Sequence, residues 1–241
     1  MRFILDAIFL GLYLILGIPV LWVLNQMGKS EKWKYKTDLI ALRMVQKAFK
    51  VMLFIAGTKQ VVIGEENVPK DQPVLYIPNH RSYFDILLLY SRVPGLTGFV
   101  SKDSMQKFYL LRDWMKKLHC LFLNRENPRE GLKTILQGIE NIKNGISMCI
   151  FPEGTRSKKG NEMLEFHHGS FKCALKTKAP IVPVVFVNSF KVLDEKGCKP
   201  VNVQIHYLKP IYAEEYAGMK TSELAELVKG RIEEVLKEYR A

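Results

Sequence analysis

Three common functional signatures are missing from the 241-residue sequence. Neither GxGxxG nor GxxxxGK[ST] occurs, and these are the glycine patterns that hold dinucleotides and nucleotide phosphates. No serine stands in a GxSxG elbow, the arrangement that exposes the nucleophile of an α/β-hydrolase. The sequence also has no internal repeat and no low-complexity tract. A nucleotide-binding enzyme, a hydrolase of that type and a repeat protein are therefore disfavoured.

Cysteine and histidine are both scarce. The four cysteines are Cys120, Cys149, Cys173 and Cys198. No two of them lie at metal-ligand spacing, and three sit in apolar segments, so we predict reduced, mostly buried thiols in a cytosolic compartment. The other histidines, which are His119, His167, His168 and His206, form no fixed ligand pattern with His80. No metal site is predicted.

Acidic residues are few relative to basic ones. The chain has 36 lysines and arginines against 24 acidic residues, which gives a net charge of +12 and a pI of about 9.5. This balance favours an anionic partner, which could be nucleic acid, an acidic membrane surface or a phosphorylated substrate. With 48% hydrophobic residues the chain is long and apolar enough for one domain with a core, or for one domain plus a small appendage.

The N-terminus contains a long uncharged run. Residues 7–24 read AIFLGLYLILGIPVLWVL, eighteen residues at the short limit for crossing a bilayer. A cleaved signal peptide fits poorly, because Arg2 is the only basic side chain before the run, the acidic Asp6 lies in the same short segment, and no cleavage site follows. A buried core helix is the alternative. The next segment, GKSEKWKYK, places lysines around Trp33 and Tyr35, a mixture typical of the cytoplasmic headgroup layer.

A second segment, residues 38–57, has basic and apolar faces. Arg43, Lys47 and Lys50 share one side of a helix in which we expect Asp38 to cap the start and Gly57 the end. Such a helix lies in the membrane interface or docks on the domain core. We interpret residues 1–57 as a two-helix membrane anchor and residues 58–241 as the catalytic domain. Whether the first helix spans the bilayer or dips into one leaflet stays open.

From residue 60 onward, short β-rich runs alternate with helical ones. The predicted strands are 60–64, 73–78, 96–101, 120–125, 146–151, 181–188 and 201–208. The predicted helices are 84–92, 104–118, 129–143, 168–178 and 221–239. This alternation predicts an α/β fold, with a mixed, largely parallel sheet flanked by helices. Ligands of such sheets bind beyond the carboxyl ends of the strands, where the segments NHRSYFD (79–85) and FPEGTRS (151–157) both begin.

Each segment has a plain structural interpretation and a functional one. In NHRSYFD, Asp85 in the first turn of the helix could reach back to His80, either as a local hydrogen bond or as the carboxylate that orients a catalytic base. Ser82 is a weaker candidate nucleophile, since it lacks the elbow. In FPEGTRS, Gly154 permits a tight turn, and the hydroxyl of Thr155 with the guanidinium of Arg156 suits a phosphate or a carboxylate.

Taken together, four ordered blocks resemble the glycerolipid acyltransferases related to 1-acylglycerol-3-phosphate acyltransferase. NHRSYFD is similar to the NHxSxxD signature, with its HxxxxD core, and FPEGTRS matches the third block letter for letter. FLNR (122–125) resembles the second block, although Asn124 stands where an acid is usual, and APIVPVVF (179–186) resembles the fourth. Lys102 fits a lysine commonly found between the first two blocks.

The resemblance implies direct acyl transfer from a thioester to a glycerol hydroxyl, without a cofactor, a metal ion or a covalent enzyme intermediate. His80 would be the general base and Asp85 its partner. Arg125, Arg156 and Lys102 would hold the acceptor's phosphate. By the family's association of its third block with glycerol phosphate, Glu153, Gly154 and Thr155 would join them. The expected product is phosphatidic acid, formed from lysophosphatidate.

The expected partners are the membrane bilayer, lysophosphatidate, and an acyl thioester of acyl carrier protein or coenzyme A. The expected location is the cytoplasmic face of the inner membrane. Glycerol-3-phosphate, another lysophospholipid or a lyso-aminolipid would fit the same motifs as acceptor. A non-catalytic basic membrane-binding protein is the alternative from another class. Nucleic acid is not expected, because it would explain the charge but not the apolar N-terminus.

Overall fold

The computed structural model describes residues 2–158, 162–194 and 200–239. The helices are α1 (Arg2–Met27), α2 (Glu31–Ile55), α3 (Phe84–Tyr90), α4 (Tyr109–Lys117), α5 (Pro128–Lys143), α6 (Lys172–Thr177), α7 (Lys191–Asp194) and α8 (Thr221–Lys237). The strands are β1 (Thr58–Ile63), β2 (Leu75–Pro78), β3 (Thr97–Lys102), β4 (Leu121–Leu123), β5 (Ser147–Cys149), β6 (Ile181–Val187) and β7 (Val201–Tyr207). Cys198 lies outside the described residues, and the other three cysteines are free thiols.

The seven strands form one mixed sheet in the order β1-β7-β6-β2-β5-β3-β4. Pairing is parallel throughout except between β6 and β7, which are antiparallel. The predicted α/β fold with a largely parallel sheet is confirmed, and every predicted strand overlaps an observed one. The predicted helices are also present, although two begin as 3₁₀ segments, Asp103–Lys107 and His168–Phe171.

Helices cover both faces of the sheet. Side chains alternate along β2, so Tyr76 faces the layer formed by α1 to α4, while Ile77 faces the layer formed by α5, α6 and α8. β6 is apolar and buried along its whole length, as expected for a central strand with helices on both sides. Strands β2 to β6 all run in the same direction, and this places their carboxyl ends at one edge of the sheet.

The N-terminal helices pack on the first of these layers. Ala41, Leu42 and Leu53 of α2 are fully buried in the core, while the basic side of the helix stays exposed. The inner face of α2 therefore docks on the domain core, which is one of the two interpretations of this segment. α1 contacts α4, where a Cβ on Gly17 would lie 2.9 Å from the ring of Trp114. Only a glycine lets α1 approach this closely.

α1 is long and apolar enough to cross a membrane by length and composition, and it alone is so among the described residues. Its mean hydropathy over the best 18-residue window is 2.5, and only 17% of that window is buried. The side turned away from the protein carries exposed apolar residues, which include Ile8, Leu12, Ile15 and Leu16. A soluble core helix of this composition would be mostly buried, so this face lacks a protein partner among the described residues.

Asp38 does not cap a helix start, and this corrects the sequence-based expectation. α2 begins at Glu31, so Asp38 lies well inside it and is buried. Its two carboxylate oxygens bond Lys117 Nζ and His119 Nε2, each at 2.7 Å. The cause is tertiary contact, because the last residue of α4 and the loop that follows it bring these two side chains against α2. Gly57 follows the helix with φ of +72°, as the capping prediction requires.

Candidate active site

Four neighbouring strands deliver the candidate residues to one edge of the sheet. His80 follows β2, Glu153 follows β5, Lys102 ends β3 and Arg125 follows β4. The order β2-β5-β3-β4 is parallel at each step, so these four carboxyl ends form a row. Adjacent strands lie about 4.8 Å apart, which makes the row roughly 14 Å long. This is the edge at which α/β sheets bind their ligands.

The His80–Asp85 pair has the geometry of an oriented imidazole. Asp85 lies in the first turn of α3, fully buried, and its Oδ2 is 2.9 Å from His80 Nδ1. The same oxygen accepts the backbone amides of Arg81 at 2.6 Å and Ser82 at 2.8 Å. Because Oδ2 acts as an acceptor in all three contacts, Nδ1 of His80 carries the proton and Nε2 is left as the basic nitrogen. No described residue bonds Nε2.

The loop that carries His80 is fixed from several sides. Asn79 donates from Nδ2 to the carbonyl of Phe186 at 3.0 Å and accepts from the Phe186 amide at 2.7 Å, which ties the loop to β6. The His80 carbonyl accepts the amide of Ser157 at 2.9 Å. Ser82 is buried, and its Oγ accepts the amide of Phe84 at 3.2 Å at the start of α3. The ring of Phe151 packs 4.1 Å from that of His80.

Glu153 is buried and contacts the backbone on both sides. Oε1 accepts the amide of His80 at 2.7 Å and Oε2 accepts that of Leu164 at 2.8 Å. Burial raises the pKa of Glu153 to about 7, although these two amides and the charge of Arg81 act in the opposite direction. Because both carboxylate oxygens accept main-chain hydrogen bonds, the side chain of Glu153 stabilises the loop around His80.

Gly154 allows the turn of FPEGTRS to approach its neighbours closely. Its φ is +67°, and an added Cβ would lie 2.9 Å from Cδ2 of His167 and 3.7 Å from Cζ of Arg125. A larger residue would therefore be strained by its backbone and would collide with a ring. The guanidinium of Arg125 lies beside this turn. Glu153, the residue before Gly154, accepts the amide of His80. The site thus joins the second and third sequence blocks.

Arg156 is held by Tyr83 of the first block. Its Nη2 donates to the Tyr83 hydroxyl at 3.0 Å, and its Cζ lies 3.7 Å from the centre of the Tyr83 ring. Thr155 is exposed on the same turn, and Lys102 is exposed at the end of β3. Lys102 makes no hydrogen bond or ion pair with the other described candidate residues, so only its place in the row of strand ends associates it with them.

Sequence reasoning assigned no role to Asn79, Arg81 or Tyr83, although all three lie inside the first block. Arg81 is buried, its Nη1 donates to the carbonyl of Glu162, and its charge faces Glu153. The available signal was their presence within one seven-residue motif. Asn124, which replaces the usual acid, accepts two amides of its own turn through Oδ1. In the part of the chain that the structure describes, no group of three or more metal-ligating side chains comes together.

Comparison with known proteins identifies relatives of this chain. A model of the acyltransferase family matches residues 59–187, more than half of the chain. A 1-acyl-sn-glycerol-3-phosphate acyltransferase of Saccharomyces cerevisiae is 35% identical over 79% of this chain and 64% of its own length. A probable enzyme of the same name from Mycoplasma pneumoniae is 32% identical over 78% of this chain and 73% of its own. The alignment thus spans less than two thirds of the yeast protein.

The structural likeness extends over the whole chain. The crystal structure of the 1-acyl-sn-glycerophosphate (LPA) acyltransferase PlsC from Thermotoga maritima superimposes with a TM-score of 0.79 at 25% identity. The superposition covers 100% of this chain, including α1 and α2, and 97% of that protein. On the strength of the matched domain, the shared fold and the four blocks around His80, this chain belongs to the acyltransferase family.

Proposed function

We propose that the protein is a 1-acyl-sn-glycerol-3-phosphate acyltransferase. It transfers an acyl group from a thioester of acyl carrier protein or coenzyme A to the free sn-2 hydroxyl of lysophosphatidate, and the product is phosphatidic acid. The observation that carries the proposal is the His80–Asp85 contact, with no described residue bonded to Nε2 of His80 and with two arginines close to the Gly154 turn. The names of the relatives point to the same activity.

The proposed chemistry begins with the acceptor hydroxyl, which is a poor nucleophile until a base removes its proton. Nε2 of His80 takes that proton while the hydroxyl oxygen attacks the thioester carbonyl carbon. The carbon–sulfur bond then breaks, and the leaving thiolate recovers the proton from the imidazolium. Asp85 stabilises the cation formed in between. General-base assistance of this kind typically contributes about 10²–10⁴-fold in rate.

Arg125 and Arg156 are the proposed phosphate ligands. Both guanidinium groups border the Gly154 turn, and a guanidinium offers paired donors that suit a phosphate. Thr155 and Lys102 are placed to contribute a hydroxyl and a second charge at the same edge. Fixing the phosphate would hold the sn-2 hydroxyl near His80, and such positioning removes part of the entropic cost of the reaction. Glu153 would then act on His80 and not on the acceptor.

We also propose that the enzyme works on the cytoplasmic face of the inner membrane. The apolar, exposed side of α1 supports an anchor, and the lysines beside Trp33 and Tyr35 support a headgroup contact. Both substrates fit that location, since the acceptor is a lipid and the acyl thioesters are cytosolic. An acidic carrier protein would in addition be steered by the positive charge of this chain.

The test is an assay of the purified protein with lysophosphatidate and each thioester, with mass detection of the product. We expect phosphatidic acid from at least one donor, and we expect activity to survive a chelator, because no proposed step uses a metal ion. Glycerol-3-phosphate, other lysophospholipids and lyso-aminolipids serve as competing acceptors. Preference for any of these would replace the acceptor assignment, and failure with all acceptors would favour a non-catalytic membrane-binding protein.

A further inference from the structure

The catalytic domain exposes three consecutive large apolar side chains. Phe108, Tyr109 and Leu110 are 61%, 68% and 38% exposed at the point where the chain enters α4. We call these three residues the α4 tip. Large apolar side chains are usually scattered singly on a soluble surface, and a contiguous group marks a contact site. None of the catalytic contacts described above involves the α4 tip.

The residues around the α4 tip are basic and amphipathic. Lys107 precedes it, and the guanidinium of Arg112 lies 4.8 Å from the centre of the Tyr109 ring. Aromatic rings combined with lysine and arginine are characteristic of the layer in which a bilayer meets water. In that layer the rings enter the acyl boundary while the cations remain among the phosphates.

The α4 tip also lies on the correct side of the molecule. The 3₁₀ segment Asp103–Lys107 links it to Lys102 at the carboxyl end of β3, the edge that carries His80. The helix that the tip begins packs on α1, where the ring centres of Trp114 and Tyr13 are 5.4 Å apart. The exposed apolar side of α1 and the α4 tip therefore belong to two elements in direct contact, and both lack a protein partner among the described residues.

We propose that the α4 tip inserts into the bilayer that holds α1 and forms a further membrane contact, supplied by the catalytic domain and not by the N-terminal helices. The inference rests on the proposed function, because it assumes a lipid-borne acceptor. The contacts proposed for α1 and for Trp33 and Tyr35 come from the N-terminal helices alone. A contact at the α4 tip adds an attachment point next to the end of β3 and turns the row of strand ends toward the headgroups. Lys107 would make this contact stronger on anionic lipid, whereas the charge of Arg112 is paired with Asp113 at 2.9 Å.

The experiment uses the full-length protein with a polarity-sensitive fluorescent amino acid at position 109, introduced by stop-codon suppression. The protein is reconstituted in phosphatidylcholine vesicles, with and without phosphatidylglycerol, whose acyl chains carry bromine as a quencher. The matched control has the same amino acid at position 212. Tyr212 is also exposed, but it lies next to Ile211, which bridges to the amino end of β6, away from the site.

We expect a blue shift and quenching at position 109, stronger with phosphatidylglycerol, and neither at position 212. In a second arm, the double variant Phe108→Ser/Tyr109→Ser should lose about tenfold in kcat/KM on vesicle-borne lysophosphatidate, since burying one aromatic ring in apolar surroundings already corresponds to a factor of this size. It should keep its activity on a dispersed short-chain acceptor, which also shows that it folds. Tyr212→Ser should match the wild type on both acceptors.

Absence of quenching at position 109 overturns the proposal whatever the activities are. The surface would then be assigned to a second copy of the chain if the shift depended on protein concentration, or to an acidic carrier protein if the double variant raised KM for that donor alone. Failure of the wild type to acylate any lysophosphatidate would overturn the proposed function instead. The quenching result does not depend on turnover, so the two failures are distinguishable.

Discussion

At the residue scale, the contact between Tyr83 and Arg156 links the first sequence block to the third. The guanidinium packs on one face of the Tyr83 ring and donates a hydrogen bond to the Tyr83 hydroxyl. Both contacts restrict the Arg156 side chain, which would otherwise rotate freely about several bonds at the surface. Tyr83 is therefore a positioning residue for Arg156, and its substitution should affect recognition of the phosphate.

We expect Tyr83→Phe to raise KM for lysophosphatidate by about two- to tenfold, since it removes one hydrogen bond and keeps the ring. Tyr83→Leu should raise KM further, because the cation–π contact is lost as well. Arg156→Ala should raise KM most and should reduce the salt sensitivity of binding. Steady-state kinetics at saturating donor measures these effects. In the Arg156→Ala background, Tyr83→Phe should have little further effect.

An acceptor without the phosphate, 1-acylglycerol, is the control substrate for these variants. Its KM should not change with either position. Equal effects on phosphorylated and unphosphorylated acceptors would mean that Tyr83 and Arg156 support the local structure and do not recognise phosphate.

Glu153 makes folding depend on pH in a defined direction. Burial raises its pKa from 4.5 to about 7, so the native state retains this proton to higher pH than the unfolded chain does. The stability linked to Glu153 is fully present below pH 4.5 and is lost as pH rises through about 7. We expect the free energy of unfolding to fall by about 3 kcal/mol across this window relative to Glu153→Gln.

Denaturant titrations of the two detergent-solubilised proteins at about pH 5 and about pH 8 measure this difference, with the window set by the linkage relation. Glu153→Gln itself should be less stable than the wild type at acid pH, since its amide can accept only one of the two backbone N–H groups. A difference in stability that stays constant between the two pH values would contradict the buried, proton-retaining carboxyl.

At the element scale, Asp38 connects three helices. It lies in α2 and binds Lys117 at the end of α4, whose Nζ also donates to Leu24 O of α1 at 3.4 Å. Burial raises the pKa of Asp38, but the hydrogen bonds from His119 and Lys117 outweigh burial and lower it overall. The N-terminal helices α1 and α2 are thus attached to α4 by a buried ion pair as well as by apolar packing.

Lys117→Met should destabilise the protein by about 3–5 kcal/mol, because the carboxylate of Asp38 remains buried with only His119 as a partner. The exposed pair Lys34–Glu31, at 3.7 Å, provides the matched control. Lys34→Met should change the free energy of unfolding by less than about 1 kcal/mol. Equal effects of the two substitutions in denaturant titration would show that the buried pair does not join the helices.

The elements differ in how well the sequence predicts them. The strands and the NHRSYFD turn depend on local sequence pattern. The apolar runs therefore predicted β2, and the motif predicted the His80–Asp85 contact. The partners of Asp38 lie about eighty positions away, and periodicity carries no information on them. The antiparallel pairing of β7 and the contacts of Asn79 with β6 are likewise set by tertiary packing, which a single sequence does not contain.

At the scale of the whole molecule, the exposed apolar side of α1 is the largest feature without a protein partner in the described ranges. Leu12 and Leu16 lie one turn apart on it. We expect Leu12→Asp/Leu16→Asp to release the protein from membranes, because an aspartate at the centre of a membrane helix costs about 3 kcal/mol. A high-salt wash should not strip the wild type, since hydrophobic burial is insensitive to screening.

Fractionation of cell lysates measures this release. Leu132→Asp/Leu136→Asp is the control, since these leucines are also exposed and one turn apart but lie on α5. The control variant should stay in the membrane fraction. If the α1 variant stayed there as well, the anchor would have to be placed elsewhere in the chain.

The central proposal is that His80 removes the proton from the acceptor hydroxyl while Asp85 orients its imidazole. Its most direct test is kcat of the wild type, His80→Ala and Asp85→Asn at saturating lysophosphatidate and thioester, with the product detected by mass. His80→Ala should lower kcat by about 10²–10⁴-fold and leave acceptor binding largely unchanged. Asp85→Asn should lower it less, because an amide oxygen can replace Oδ2 but carries no charge. Wild-type turnover in His80→Ala would contradict the account.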